Sequence, residues 1–113
     1  MIVSITYLEL KHVSKFFKLA ALARKIVIEL RSNKACKKVK SRGFWTKHYT
    51  MTLWENREAM EQFYRHGDAH KAAMKHSADL AKEIKTYSYE DDTLPTWNEA
   101  KVLLPEGKSF VFG

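Results

Sequence analysis

The five histidines are the side chains of this sequence best suited to acid–base or metal chemistry. His48 lies in an alternating segment typical of a strand, where it faces the same side as Thr50 and Thr52. At such a position it can act as an acid, a base or a hydrogen-bond donor. We find no P-loop, dinucleotide fingerprint or serine elbow beside the histidines, so most large enzyme classes lack their usual motif here.

A row of small hydroxyl side chains forms the second group with functional chemistry. If the apolar faces of the first and third predicted strands meet the helices, the opposite face carries the polar residues. The apolar set is Val3, Ile5, Tyr7, Tyr49, Met51 and Leu53, and the polar set is Ser4, Thr6, Thr46, His48, Thr50 and Thr52. Small hydroxyls leave space and offer adjustable hydrogen bonds, which suits a cavity for a mostly apolar ligand. Alternatively, they are ordinary strand residues packed against a dimer mate.

Length and charge limit the class of protein. The chain has 113 residues, which fits a single domain spanning 1–113. Residues 1–47 hold twelve basic and two acidic side chains, whereas residues 48–113 hold eight and eleven. The lone Cys36 excludes an intramolecular disulfide, and the N-terminus lacks signal-peptide features, which favours a reducing cytoplasmic setting. No stretch has the roughly 18 uncharged apolar residues of a spanning helix, so we expect no membrane partner.

The pattern of the first half predicts a strand, a helix and a hairpin. Ser14 is the expected N-cap of the first helix, and Ser41-Arg42-Gly43 is the expected hairpin turn. The predicted elements are a strand at Ile2–Leu10, a helix ending near Ser32-Asn33, and strands at 35–40 and 44–54.

The second half predicts a broken helix, a strand and a short terminal helix. Asn56 is the expected cap of the second helix, Gly67 its stop, and Asp68 a fresh cap. A strand follows at 84–90. Pro95 and the capping box of Thr96 and Glu99 open a short C-terminal helix over about 96–104.

This order of elements predicts an α+β, ferredoxin-like βαββαβ fold with a four-stranded antiparallel sheet. Strands one and three are expected at the centre, with two and four at the edges. Two helices cover only one face of such a sheet, yet the other face still carries Ile2 and Leu8. A second copy packed against that face would close a dimeric α+β barrel, so we predict a homodimer.

The segment from Gly43-Phe44-Trp45-Thr46 through Thr52-Leu53-Trp54-Glu55 and on to Met60, Phe63-Tyr64-Arg65 and His70 resembles a known group. With the tail Pro95-Thr96-Trp97-Asn98-Glu99-Ala100, it is similar to the spheroidene monooxygenase-like and DUF3291 proteins over about residues 43–103. These belong to the dimeric α+β barrel superfamily, which includes antibiotic-biosynthesis monooxygenases. The resemblance implies a monooxygenase-like protein that binds a small hydrophobic or aromatic molecule between sheet and helices.

The resemblance also implies functional residues. Spheroidene monooxygenase is a haem-associated oxygenase, so His70 is implied as a haem iron ligand, and His70 or His48 as the catalytic residue with oxygen as co-substrate. From the polar strand face and the resemblance together, the expected ligand-binding residues are Ser4, Thr6, Thr50, Thr52, Trp54 and Phe63. Related haem-degrading enzymes use an Asn, Trp and His triad, but the matching positions hold Tyr7, Phe63 and Ala73, which disfavours that reaction.

Two alternatives stand beside the monooxygenase-like hypothesis. One is a non-catalytic module that holds the same small ligand. The other is a nucleic-acid-binding protein, indicated by a basic segment near Phe44 and Trp45. That segment comprises Lys34, Lys37, Lys38, Lys40, Arg42 and Lys47. We do not favour nucleic acid as a partner, because edge strands often carry lysines that prevent sheet aggregation. In a dimer this basic edge would lie near the acidic end of strand four at Glu90-Asp91-Asp92.

Overall fold

A five-stranded antiparallel sheet forms the centre of the protein. The computed structural model describes residues 1–67 and 75–111. The strands are β1 Ile2–Leu10, β2 Cys36–Phe44, β3 Lys47–Trp54, β4 Ala81–Glu90 and β5 Lys108–Val111. Their order across the sheet is β2-β3-β1-β4-β5. The predicted α+β ferredoxin-like fold is confirmed, with β1 and β3 at the centre.

Two of the described helices, the second and the fourth, begin at capping signals in the sequence. The described helices are α1 Phe16–Ser32, α2 Arg57–His66, α3 Ser77–Leu80 and α4 Trp97–Leu103. The Asn56 side chain accepts a hydrogen bond from the Ala59 amide at 2.8 Å, and α2 ends at Gly67. Thr96 and Glu99 form the expected capping box at the start of α4. Among the described helices, none is long and apolar enough to cross a membrane.

Two local predictions were wrong. Ser14 does not cap α1, because a short 3₁₀ turn over Val13–Lys15 precedes the helix. His12 caps that turn: its Nδ1 accepts a hydrogen bond from the Ser14 amide at 3.1 Å. Ser41, Arg42 and Gly43 are not the hairpin turn either, since β2 continues through them to Phe44. The alternation of polar and apolar residues indicates which side chains share a face of a strand, but it does not mark the residue at which an extended strand ends.

The sheet has a fifth strand that the sequence analysis did not predict. β5 pairs antiparallel with β4, from Glu83 opposite Val111 to Thr86 opposite Lys108. As a result β4 is not an edge strand over those residues, whereas its acidic end at Glu90 lies beyond the part that β5 covers. All four residues of β5 are exposed, and so short a strand lacks a clear periodic signal.

The two faces of the sheet carry different helices, and here the predicted arrangement was wrong. α1 and α2 cover the face that bears Ser4 and Thr52: their Leu30 and Phe63 pack with Trp54 in one buried cluster. The opposite face, with Val3, Ile5, Tyr7, Met51 and Leu53, packs against α4 and the turn that follows it. The chain therefore covers part of its second face with its own C-terminal helix, through Ala100 and Leu104.

Candidate functional site

A large cavity lies between the polar face of the sheet and helices α1 and α2. Its volume is about 1240 Å³. The sheet contributes Ser4, Thr6, Thr50 and Thr52, while α1 contributes Leu19, Ala20, Ala23, Ile26 and Val27. Leu30 is the only buried residue of α1, because the rest of its inward face borders this cavity rather than the sheet.

Hydroxyl groups line the floor of the cavity where β1, β3 and α2 meet. The Ser4 Oγ and the Tyr64 hydroxyl are 2.8 Å apart, and this bond joins β1 to α2. Beside them, the indole Nε1 of Trp54 donates to Thr52 Oγ1 at 2.8 Å. Ser4 and Thr52 are buried, so these bonds satisfy polar groups that would otherwise be costly beneath an apolar ligand.

Tyr64 is held in its neutral form at this floor. Burial raises the pKa of its phenol, and the hydrogen bonds from Ser4 and Thr52 only partly oppose that rise. Its ring also contacts Trp54 and Phe63, with centroids 6.3 and 5.7 Å away. A neutral phenol can donate a hydrogen bond to a ligand oxygen or accept one from a ligand hydroxyl. Tyr64 therefore places a polar group beside the aromatic rings of Trp54 and Phe63.

His48 borders the cavity at a second polar point on β3. Its Nε2 lies 3.2 Å from the Trp45 carbonyl oxygen, and its ring centroid is 5.8 Å from that of Phe16. A carbonyl only accepts, so Nε2 carries the proton, and in the neutral ring Nδ1 is then an acceptor. Burial lowers the pKa of His48, and the lowered pKa favours this neutral form. The hydrogen bond to the Trp45 carbonyl opposes the shift in part.

The backbone around His48 is shaped for this ring. Gly43 lies opposite His48 in the β2–β3 register, and a Cβ at position 43 would overlap Nδ1 of the imidazole. At the adjoining turn, Trp45 adopts a positive φ of 54° with its side chain exposed. That left-handed conformation aims the Trp45 carbonyl at His48, at a modest backbone cost for a non-glycine residue.

Arg57 adds a positive charge to the lining of the cavity. It is the first residue of α2, and its Nη1 donates to the Ser88 Oγ of β4 at 3.3 Å. Glu61, one turn further along α2, also borders the cavity. Both side chains lie at the rim, since Arg57 is exposed and Glu61 half-buried. The cavity thus has polar groups at its floor and rim and apolar walls between them.

The structure brings most of the residues expected from the sequence to this one cavity. Ser4, Thr6, Thr50, Thr52, Phe63 and His48 all line it. Trp54 does not, because it is fully buried behind the lining, where it contacts the lining residues Thr52, Phe63 and Tyr64. His70 and Asp68 lie outside the described residues.

Two lining residues, Tyr64 and Arg57, were missed by the sequence analysis. A signal for Tyr64 existed: Met60, Phe63 and Tyr64 have the i, i+3, i+4 spacing of one inward helix face. Arg57 carried no such signal, because the first residue of a helix is usually solvated and its bond to Ser88 joins segments 31 residues apart.

The described residues give no support for a haem site. His48 is the one histidine among them that lines the cavity, and Gly43 of β2 lies against its Nδ1, the ring nitrogen that is not bonded to the Trp45 carbonyl. Over the same ranges, no group of three or more His, Cys, Asp or Glu side chains converges on a metal site. The resemblance assigns the haem iron to His70, which lies outside the described residues, so we derive no chemistry through haem.

Comparison with solved structures identifies the class of fold. An antibiotic biosynthesis monooxygenase superposes with a TM-score of 0.69 at 13% identity, covering 84% of this chain and all of that one. A conserved protein from Methanosarcina mazei gives a TM-score of 0.71 at 15% identity over 80% of this chain and 92% of that one. Rv0793 from Mycobacterium tuberculosis gives 0.71 at 9% identity over 85% of this chain and its own full length.

No family model and no curated protein matches the sequence. By its structure, the chain has the ferredoxin-like α+β fold that antibiotic biosynthesis monooxygenase structures show. At these identities the likeness concerns the fold alone, and the narrower resemblance to the spheroidene monooxygenase-like and DUF3291 proteins has no further support from the comparisons.

Proposed function

We propose that this protein binds a small hydrophobic or aromatic molecule in the cavity between its sheet and helices α1 and α2. The observation that carries the proposal is the cavity itself, about 1240 Å³, with a mainly apolar lining surface and polar groups at its floor and rim. Ligand sites commonly combine such walls with a few placed polar groups that fix orientation.

The polar groups favour a ligand with an oxygen-bearing substituent. His48, with Nε2 bound to Trp45, keeps Nδ1 as an acceptor for a ligand hydroxyl. Ser4 and Tyr64 form a hydroxyl pair that both donates and accepts. A wholly apolar ligand would form no hydrogen bond with any of these groups.

For a catalytic role, we propose a monooxygenase-like reaction with oxygen as co-substrate, in which a methylene group of the ligand becomes a carbonyl. One atom of O2 enters the product, the other leaves as water with the two methylene hydrogens, and the ligand itself supplies the electrons. His48 would take the proton of an acidic ligand hydroxyl, because a neutral imidazole is suited to act as a base near pH 7. The non-catalytic alternative uses the same cavity and the same contacts without a reaction. The haem version depends on His70: absence of a Soret band after haem addition, with no spectral change in His70→Ala, would exclude it.

We further propose that the protein is a homodimer. The supporting observation is the face of the sheet opposite the cavity, which α4 covers only in part. Lys38 and Lys40 are exposed on β2, opposite Leu53 and Met51 in the register, and so belong to that face. Their positive charge would attract the acidic end of β4 of a second copy.

The ligand-binding proposal is tested with 1-naphthol as the probe, by isothermal titration. Ala23 lines the cavity from α1, so Ala23→Trp fills the space that the ligand needs. We expect affinity for 1-naphthol to fall by at least about ten-fold, because the apolar contact area is lost. Ala21→Trp is the matched control, since Ala21 lies on the same helix but does not line the cavity.

If both variants keep the affinity of the unaltered chain, the assignment of the site is overturned. Binding that both variants lose together would instead indicate damage to α1, which far-ultraviolet circular dichroism detects. Full affinity in a His48→Gln variant would show that His48 does not bind the hydroxyl of 1-naphthol, while the cavity would still be the binding site.

A further inference from the structure

Helix α1 carries apolar residues on its outward face as well as on the face that lines the cavity. Phe17 and Ile28 are 82% and 60% exposed. Together with the exposed Ala21 they recur at the four- and seven-residue spacing of one helix face. Arg24 lies on the same face, between Ala21 and Ile28, and the apolar side chains beside it have no cover within the described chain. Exposed large apolar side chains that share one face commonly mark a contact surface.

The apolar surface extends over the N-terminal end of the helix. Val13, in the 3₁₀ turn before α1, is 45% exposed, and Phe16 is 41% exposed. The rings of Phe16 and Phe17 lie edge to face with centroids 5.7 Å apart. We call Val13, Phe16, Phe17, Ala21 and Ile28 the α1 outer surface.

Basic charge predominates around the α1 outer surface. Residues 11–31 contain six basic side chains and one acidic one, Glu29. Two of the six are paired with Asp79, from Lys15 at 3.5 Å and from Lys18 at 2.9 Å. Arg24 and Lys25 are exposed on the helix itself, and so is Lys11 before the turn. The surface therefore keeps a net positive charge after this pairing.

We infer that the α1 outer surface docks onto an anionic lipid bilayer. Two exposed phenylalanines ringed by lysine and arginine are what an interfacial helix uses: the rings enter the boundary between headgroups and acyl chains, and the basic heads stay with anionic headgroups. No membrane-spanning segment is needed for such a contact. It therefore departs from the sequence-based expectation of no membrane partner, which considered spanning segments only.

The position of Phe16 connects this surface to the cavity. Phe16 lines the cavity and contacts the His48 ring, and it also belongs to the exposed surface. A molecule dissolved in the bilayer would thus meet the cavity at the end of α1 that touches the lipid. The entry of a molecule from the bilayer into the cavity depends on the proposed ligand-binding function, whereas the docking of α1 onto the bilayer does not.

The docking is tested by co-sedimentation of the full chain, without ligand, with vesicles. One set is phosphatidylcholine alone, and the other has equal parts of phosphatidylcholine and phosphatidylserine. We expect binding to the second set that weakens with added salt, and none to the first. Phe17→Ser should reduce binding about ten-fold. Val102→Ser is the matched control, since Val102 is 75% exposed on α4, which covers the other face of the sheet.

Charge has its own pair of variants. Arg24→Gln with Lys25→Gln should reduce binding to the anionic vesicles, whereas Lys37→Gln with Lys38→Gln, which removes the same charge from β2, should not. Equal losses in the two pairs, or equal binding of Phe17→Ser and Val102→Ser, would overturn the proposal. Self-association that Phe17→Ser abolishes, without vesicle binding, would assign the surface to a second copy instead. The vesicle assay contains no 1-naphthol, so a negative result would count against docking onto the bilayer and would leave the ligand-binding proposal unaffected.

Discussion

Gly43 and His48 face each other across the β2–β3 hairpin, and the imidazole of His48 occupies the space where a side chain at position 43 would begin. The glycine is required here by close approach rather than by its backbone angles, because its φ is not positive. The neighbouring strand thus determines where the His48 ring lies.

The first prediction concerns Gly43→Ala. The added methyl overlaps the ring, so His48 must move, and overpacking of this kind costs roughly 1–3 kcal/mol. Proton NMR titration of His48 should report a pKa closer to the ordinary value, since a displaced ring is less buried. Ser41→Ala, on the same strand and the same face, should leave the titration unchanged. An unaltered His48 pKa in Gly43→Ala would show that the ring is held by other contacts.

His48 also predicts a dependence of stability on acid pH. Burial lowers its pKa below the ordinary 6.5 in the folded state. The unfolded chain therefore takes up the proton first, and stability is lost as the pH falls from about 6.5 through the folded pKa. Urea unfolding across this range should show that loss, and His48→Gln should reduce it. A loss of the same size in His48→Gln would assign it to other groups.

A double-mutant cycle tests the bond between Ser4 and Tyr64. Tyr64→Phe and Ser4→Ala each remove one partner of a 2.8 Å bond at the cavity floor. We expect each to lower the free energy of unfolding by about 1 kcal/mol, and the double variant to lose less than the sum, with coupling of about 0.5–1.5 kcal/mol. Additive losses, measured by urea unfolding, would mean that the two hydroxyls act independently.

Tyr7 predicts a loss of stability at alkaline pH. Burial, with a further contribution from Glu9, raises the pKa of Tyr7 from 10.0 to about 12. Because the folded state keeps the proton longer, this contribution is present below pH 10 and is lost as the pH rises from 10 towards about 12. Tyr7→Phe should flatten the alkaline limb of the stability curve, measured by urea unfolding at several pH values. An unchanged limb would contradict the prediction.

The proposed dimer predicts an effect of charge reversal on β2. Lys38→Glu with Lys40→Glu should weaken self-association by about three-fold or more, because each exposed ion pair contributes up to about 1 kcal/mol. Analytical ultracentrifugation over a dilution series measures this. Lys34→Glu with Lys37→Glu, the same change of charge at the start of β2, is the control. Equal affinity in both variants and in the unaltered chain would remove the charge pairing from the dimer.

Much of the local structure was readable from short patterns. Alternation located β1, and the cap at Asn56, the stop at Gly67 and the capping box at Thr96 located the ends of α2 and the start of α4. These signals are local, because a cap or a pleat is satisfied by neighbours within a few residues. The order of elements then limited the topology to the ferredoxin-like arrangement.

The cavity residues were recognisable as a set, but their surroundings were not. Ser4 and Thr52 could be placed on one face by alternation, whereas Tyr64 joined them only through a contact between residues 60 positions apart. Similarly, the exposed four residues of β5 form a strand because β4 offers an edge, not because their own sequence demands one.

The sequence by itself determined that each central strand has two faces and which residues share a face, because side chains in a strand alternate with a period of two. Only the tertiary structure decided which face receives which helix. Val3, Ile5 and Tyr7 are apolar enough to attract either α1 or α4, and the choice depends on how the connections return over the sheet. In the structure α4 packs on that face and α1 and α2 pack on the hydroxyl face, so the cavity lies between these two helices and the sheet.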